Sequence, residues 1–523
     1  MRYFNTEGPC VPGRHYMLPP EPRLPGARDL VEGGRYFIVH APRQTGKTTT
    51  LSALAEDLTA GARHVALRFS CERAEAAGDD YAAAELQLLN AIRQEARTQH
   101  LREEWLPPDP WPSASPGSRI YEALQAWAMK CPLPLVLFFD EIDALRGQSL
   151  ISVLRQLRDG FTSRPQAFPA SVVLCGLRDV RDYRAASGGD PSRLGTASPF
   201  NIAVKSLRIR DFSFDDMAAL YQQHTEETGQ EFTPEAVERA FGYTQGQPWL
   251  VNALAREVIN EMRVEPPAPI TAGHFDTAKE RLILARASHL DSLASKLNEP
   301  RVRRVIEPLI TGTLPDVDAV YDDDVAYVQD LGLVAQGDPV RIANPIYREV
   351  IVRVLGAGFE RVVTDSPRDF LLPDGRLDIR MLLEQFAAFW IEGGETLADG
   401  ASYRESGAQL VFMAYLQRIV NGGGYVSREY GVGRGRIDLQ VRKPYGDHQE
   451  QREGIELKVW RKGRPDPLPE GLRQVDEYLA RLGLDTGTLI IFDRRPDGAP
   501  IYERTRLSGE RTPSGRDITL LRA

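Results

Sequence analysis

The chain has 523 residues, 42% of them hydrophobic and 26% charged, and a formal net charge of −9. That length exceeds one core and points to about three or four domains. The acid excess argues against a surface coated for nucleic-acid binding. No apolar run approaches the ~18 residues of a membrane span and no secretory apolar stretch follows Met1, so a cytoplasmic protein without membrane contact is predicted.

Residues 1 to about 35 read as an irregular, proline-rich lead-in. From 36 to about 210, apolar strand runs alternate with helical patterns, the signature of a parallel sheet covered by helices. The runs are Tyr36–His40, Val65–Phe69, Leu135–Phe139, Ser171–Cys175 and Asn201–Val204. The first run leads into Ala41-Pro42-Arg43-Gln44-Thr45-Gly46-Lys47-Thr48, then a helical pattern from Thr49 to Leu58. A strand, a tight loop ending in Gly-Lys-Thr and a helix form the phosphate-binding P-loop arrangement, in which backbone N–H groups and the helix N-terminus surround an anion. Pro42, Arg43, Gln44, Thr45, Gly46, Lys47, Thr48 and Thr49 are therefore the candidate ATP-binding residues. Lys47 is placed for the β/γ-phosphates and the Thr48 hydroxyl for Mg²⁺. Ala41 stands where the GxxxxGK[ST] pattern has its first glycine, and its small side chain still permits the turn.

The run Leu135–Phe139 ends in Asp140-Glu141-Ile142-Asp143. Asp140, at the carboxyl end of a buried strand, is the second candidate Mg²⁺ ligand, acting through water. Glu141 is placed to orient and deprotonate the attacking water. Asp143 reads equally as a helix-start residue or a catalytic one. Arg178 and Arg181 follow the strand ending at Cys175-Gly176, where a sensor residue would lie, and Arg193, Arg208 and Arg210 are candidate fingers on a neighbouring subunit's γ-phosphate. Surface charge is the alternative for each, so a homo-oligomer stays open. The four cysteines, Cys10, Cys71, Cys131 and Cys175, lack CxxC spacing and read as reduced thiols.

From Ser213 to about Arg263 the pattern is helical and carries Gly246-Gln247-Pro248. A small helical domain with Gly-x-Pro behind a P-loop core resembles the lid of AAA-type and STAND-type ATPases; a loop between packed helices is the alternative. Between about 270 and 365, helices precede short strands at Gly332–Ala335 and Val340–Ala343, a spacing that suits a winged helix. The cluster Asp316, Asp318, Asp322, Asp323 and Asp324 favours a spacer over a DNA-binding role there. Asp365–Leu377 reads as the main hinge.

Residues 401–523 hold 21 Lys and Arg against 17 Asp and Glu, a mild basic excess on an otherwise acidic chain. Glu405–Val420 reads as a helix and Tyr425–Tyr430 as a strand. Gly433-Arg434-Gly435-Arg436-Ile437-Asp438 follows, then a loop at Pro444–Glu453. After it come Gly454-Ile455-Glu456-Leu457-Lys458-Val459-Trp460, a helix Gly471–Leu482 and a buried strand Thr488–Phe492. Strand periodicity puts Glu456 and Lys458 on one face. Glu-Leu-Lys alone is a common tripeptide, and a solvent-facing pair on an edge strand is the alternative.

This order of elements resembles the PD-(D/E)xK nuclease superfamily, and the whole chain resembles prokaryotic AAA-like ATPases fused to such a domain. The resemblance implies an Mg²⁺ (or Mn²⁺) site held by Asp438 and Glu456, with Lys458 orienting the attacking water. Glu405 and Gln474, the latter with Tyr478 in a Q-x-x-x-Y pattern, complete the implied site. The expected architecture is an α/β multidomain chain in five parts. These are a P-loop parallel-sheet ATPase core (1–212), a helical lid (213–265), a winged-helix-like domain (266–365), a connecting helix (366–400) and a C-terminal restriction-endonuclease-like α/β domain (401–523). The implied activity is ATP-regulated DNA cleavage, with ATP and DNA as partners. The competing reading is a STAND-like signalling or assembly ATPase whose last domain only binds nucleic acid or a partner.

Overall fold

The computed structural model describes residues 2–19, 21–177, 202–285, 288–311, 322–337, 339–360, 370–394, 407–420, 425–427, 439–445, 449–495 and 497–523. The chain divides into two compact units, Met1–Val302 with Val317–Tyr347, and Arg303–Asp316 with Arg348–Ala523.

In the first unit, α1 (Ala27–Glu32), β1 (Tyr36–His40), α2 (Lys47–Ala60), β2 (Val65–Ser70), α3 (Tyr81–Thr98) and α4 (Arg119–Lys130) come first. They are followed by β3 (Leu135–Asp140), α5 (Gly147–Asp159), β4 (Ser171–Gly176) and β5 (Ala203–Arg208). The five strands form one parallel sheet in the order β2-β3-β4-β1-β5. Side chains alternate between its faces, and both faces are apolar. Tyr36, Ile38, Leu67, Leu137 and Leu174 pack with α3, α4 and α5. Phe37, Val39, Ala66, Val136, Phe138 and Val173 pack with α1 and α2. The last strand runs Ala203–Arg208 and not Asn201–Val204. It is an edge strand whose Val204 and Lys205 face solvent, so its apolar pattern is broken.

Three helices follow with strong start signals. α6 (Phe214–Thr228) opens with a Ser213–Asp216 capping box, α7 (Pro234–Thr244) has Thr233 as N-cap, and α8 (Pro248–Arg256) has Gln247. Gly246 turns the chain into α8 at φ +77°, and a Cβ there would lie 1.9 Å from the Phe212 carbonyl oxygen. Only glycine fits that approach. Next come α9 (Ala272–Leu284), α10 (Ser288–Lys296), α11 (Pro300–Thr311), α12 (Asp323–Asp330) and α13 (Pro345–Glu360), of which α11 and α13 begin in this unit and continue into the second. The two short strands expected between α12 and α13 reduce to a single antiparallel bridge, Val334↔Ile342, flanked by Ala335 N–H donating to Arg341 O at 2.8 Å.

The second unit contains α14 (Ile379–Phe389), α15 (Gly407–Val420), β6 (Tyr425–Ser427), β7 (Leu439–Tyr445) and β8 (Gln449–Trp460). It continues with α16 (Leu468–Leu482), β9 (Thr486–Asp493), β10 (Arg506–Arg511) and β11 (Asp517–Arg522). Its six strands form a mixed sheet in the order β10-β11-β9-β8-β7-β6. The expected loop Pro444–Glu453 is instead most of a hairpin, paired from Leu439↔Ile455 out to Tyr445↔Gln449. Its polar residues read as loop because this end of the ladder is solvated, where Arg442 pairs with Glu450 at 3.2 Å across the strands. Val475, Tyr478 and Leu479 of α16 cover one sheet face over Leu489, Ile491, Ile518 and Leu520. Phe386 and Trp390 meet Phe492 on the other.

Candidate functional site

The loop between β1 and α2 has the geometry of an anion cradle. Gly46 is the residue before α2, at φ +85°, and α2 begins with Lys47. Lys47 folds back onto its own loop, its Nζ donating to the Ala41 and Pro42 carbonyls at 2.7 and 2.8 Å. Burial pulls its ammonium below the ordinary lysine value, while the Asp140 carboxylate acts the other way. A polyphosphate, carrying several negative charges, is the stronger acceptor for this cation. Thr45 Oγ1 donates to Pro42 O at 2.8 Å and closes the turn, and Gln44, at φ +58°, lets the loop reverse. Arg43 and Gln44 are exposed, whereas Pro42 and Thr45 are buried.

Strand phase explains what faces this loop. Val136 and Phe138 point to the α2 side of the sheet, so Asp140 does too. Asp140 is 0% exposed and accepts from Thr48 Oγ1 at 2.9 Å. The pair therefore already stands where a divalent cation needs a hydroxyl and a carboxylate oxygen, and these residues fit Mg²⁺. Arg68, on the same face of neighbouring β2, donates to the same Asp140 oxygen at 3.0 Å. Sequence reading passed over Arg68, although its phase with Ala66 and its place beside β3 marked it.

Glu141 sits at φ 56°, ψ 42°, and accepts from the Ser70 hydroxyl. Burial raises its carboxyl above the ordinary glutamate value against the pull of that hydrogen bond, which suits a base. Asp143 accepts from the Leu177 backbone N–H at the end of β4, a structural tie. Arg210 donates to the Pro22 carbonyl of its own chain. Arg178, Arg181 and Arg193 lie outside the described residues.

The lead-in is part of this site. The Phe4 and Tyr16 rings meet at a tilt, with centroids 4.8 Å apart, and Phe4 meets Tyr221 of α6 edge-on at 5.6 Å. The Cys10 N–H donates to Thr49 Oγ1 at 3.0 Å and Trp249 Nε1 to Thr6 O at 3.0 Å, tying the segment to both α2 and α8. Arg23, buried over the Phe212 ring, donates to Thr45 O and Arg210 O, both at 2.7 Å. Together these elements enclose a cleft of about 120 Å³ running from Gln44 and Gly46 to Tyr16, Trp249 and Asn252. No periodicity announces such a segment, because the contacts that tie it to α2, α6 and α8 are long-range.

In the second unit, Glu456 pairs with Leu489 and Lys458 with Ile491 across parallel β8 and β9. Both therefore stand on the face that α16 covers. Glu456 is 1% exposed, and Lys458 Nζ lies 2.8 Å from its Oε1. Gln474, on α16, donates to Glu470 at 3.2 Å, and its Oε1 is buried without a partner among the described residues. Tyr478 packs into the same helix–sheet interface. Asp438 and Glu405 lie outside the described residues, and among those described no three His, Cys, Asp or Glu side chains converge as a metal site.

A five-stranded parallel sheet in this order, with a cradle after β1 and a buried aspartate ending β3, defines a P-loop ATPase core. Residues 31–183 match the family model described as AAA domain. The first unit thus contains an AAA-like, ATP-binding P-loop ATPase domain. Among solved structures the chain is similar to a Walker-type ATPase of Pyrococcus abyssi, at 14% identity over 66% of this chain and 99% of that one, TM-score 0.46. It is also similar to RuvB of Thermotoga maritima, a Holliday junction branch migration motor, at 12% identity over 62% and 90%, TM-score 0.32. A third is Drosophila ORC bound to DNA, at 15% identity over 60% and 74%, TM-score 0.32. No curated protein matches the chain. Among the described residues no helix is long and apolar enough to cross a membrane.

Proposed function

We propose that the chain is an ATP-controlled, metal-dependent DNA nuclease. In this reading residues 1–212 are the ATPase core, 213–265 its lid, 266–365 a winged-helix-like spacer, 366–400 a connector and 401–523 the nuclease domain. The observation that carries it is the ion pair of Glu456 and Lys458, side by side on one sheet face, with Glu456 almost fully enclosed. A buried carboxylate beside an ammonium is costly unless it serves a packing or chemical purpose. Three further facts support it. Antiparallel β7 and β8 followed by α16 and parallel β9 match the order the resemblance implies. Asp438 immediately precedes Leu439, whose ladder partner is Ile455, the neighbour of Glu456. The last 123 residues also carry a mild basic excess, 21 Lys and Arg against 17 Asp and Glu.

Asp438 and Glu456 would hold Mg²⁺ or Mn²⁺, with Glu405 completing the site; such an ion would supply polarisation of the scissile phosphate and a more acidic bound water. Lys458 orients the nucleophile and balances charge on the transition state, and Gln474 positions it from α16. At the other site Lys47, Thr48 and Asp140 hold MgATP, and Glu141 deprotonates the water that attacks the γ-phosphate.

A second reading, a STAND-like switch whose last domain only binds, draws on one observation. The α12–α13 segment packs on the P-loop itself: Asp330 Oδ1 lies 3.2 Å from His40 Nδ1, and a Cβ on Gly332 would sit 2.5 Å from Pro42 Cγ. The test incubates the protein with linear and supercoiled DNA in Mg²⁺ or Mn²⁺, with and without ATP, beside Asp438→Ala, Glu456→Gln and Lys47→Ala. Cleavage lost in the first two and altered in the third is expected. Intact ATP hydrolysis with no cleavage under any condition refutes the nuclease reading in favour of the switch.

A further inference from the structure

The cleft beside the P-loop has two chemically different ends. One is formed by Gln44, Gly46 and Thr49, around the phosphate cradle. The other is apolar, walled by Tyr16, Met17, Leu18 and Trp249. An apolar slot flanked by aromatic rings and continuous with a phosphate cradle has the shape of a nucleoside subsite. Nearly every polar group at that end is already engaged. The Tyr16 hydroxyl is bonded to His224 Nδ1 at 3.2 Å, Asn5 Nδ2 donates to Gly8 O at 3.1 Å, and Thr6 O accepts from Trp249.

Asn252 is the exception. It lies on α8, one helical turn after Pro248, and is 8% exposed while lining the cleft. Its Nδ2 donates to the Pro248 carbonyl at 2.8 Å, an i−4 bond that fixes which way round the amide sits. Its Oδ1 is buried and has no hydrogen-bond partner among the described residues. A buried amide oxygen without a donor is a rare and costly arrangement. The other lining side chain with a buried unpartnered atom is Thr50, on α2. Its hydroxyl can donate or accept, so it cannot discriminate between ligands. Asn252 Oδ1 can only accept.

We propose that Asn252 is the specificity-determining residue of the nucleotide site, its Oδ1 accepting from the exocyclic 6-amino group of an adenine base. This deepens the ATP-binding reading of the cleft and rests on it. A 6-keto purine, as in GTP or ITP, presents an oxygen at that position. Two acceptors then face each other in a dry site, each losing its water without gaining a donor. The pinned amide cannot turn its NH₂ to the ligand without giving up the Pro248 carbonyl. Discrimination is thus built into the backbone of α8.

The sharpest probe is the pair ATP and ITP, which differ in the group on C6 and in the N1 proton that accompanies the 6-keto form. Binding is followed by Trp249 fluorescence, since that indole lines the same cleft. In the wild-type chain ATP is expected to bind at least about tenfold tighter than ITP, the worth of one buried hydrogen bond. In Asn252→Ala the ratio is expected to fall to within about twofold of unity, through weaker ATP binding. N6,N6-dimethyl-ATP, which has no donor at that nitrogen, tests the same contact on the unmutated chain should the variant fold poorly. Equal wild-type affinity for ATP and ITP overturns the proposal, as does an unchanged ratio in a folded Asn252→Ala. If neither nucleotide binds, and Lys47→Ala behaves as wild type, the nucleotide reading itself falls and this one with it.

Discussion

Replacing Glu453 by glutamine should make the second unit's stability less sensitive to alkaline pH. Glu453 is a half-buried residue of β8 on the sheet face opposite Glu456, and accepts from Thr488 Oγ1 at 3.1 Å. Burial pushes its carboxyl from 4.5 up to about 7, against the pull of that hydroxyl. The folded value lies above the unfolded one, so the native state holds this proton more tightly. Its contribution is fully present below pH 4.5 and is lost as pH rises through about 7. Between pH 5 and pH 8 those two values give a loss of about 2.5 kcal/mol at ~1.36 kcal/mol per unit, or about 2 after discounting for partial solvation. Glutamine keeps the shape and a donor but has no proton to lose. Urea unfolding followed through Trp390 and Trp460 fluorescence, at pH 5 and pH 8, reads the effect. Glu453→Gln should gain on the wild type by about 2 kcal/mol over that interval. Parallel pH profiles for the two chains would show that the carboxyl is solvated, and the reasoning would fail.

Three further outcomes follow from the first unit. Arg68→Ala strips the guanidinium from a fully enclosed Asp140 and should cost about 3 kcal/mol in denaturant unfolding; a change under about 1 kcal/mol contradicts the pairing. Glu141→Gln should bind ATP within a few-fold of wild type and lose about 100-fold or more in phosphate release. Since burial raises the Glu141 carboxyl, the wild-type rate should fall on the acid side at a pH above the ordinary glutamate range; a flat profile down to that range excludes it as the base. Gly246→Ala must move the Phe212 carbonyl out of contact and adopt a strained φ, costing about 2 kcal/mol or more. Its signature is faster amide exchange across Pro248–Arg256.

The P-loop core was legible because its determinants are local. Leu135–Phe139 is a continuous apolar run because both faces of β3 are covered, and Gly46-Lys47-Thr48 follows a strand of the same kind. Glu456 and Lys458 were legible as a pair because strand period is two. Less visible were features held by distant partners. Arg23 stands in a proline-rich stretch, yet its guanidinium joins the P-loop to the chain after β5. Phe4 and Tyr16 have no periodic neighbours, and only the fold brings them against α6. The β7–β8 hairpin was hidden for another reason. Solvated strand ends take the same polar residues as loops, and pairing rather than composition makes Gln449–Glu453 a strand.

Glu141 occupies a left-handed backbone conformation, φ 56°, that glutamate adopts at a cost of about 1–2 kcal/mol. Glycine would relieve that strain, and asparagine would reduce it. A library of this chain screened only for survival on heating should therefore be enriched for Glu141→Gly and Glu141→Asn, and its winners should be catalytically silent. Thermal selection and turnover pull this one position in opposite directions, so any stabilised variant must be chosen under both.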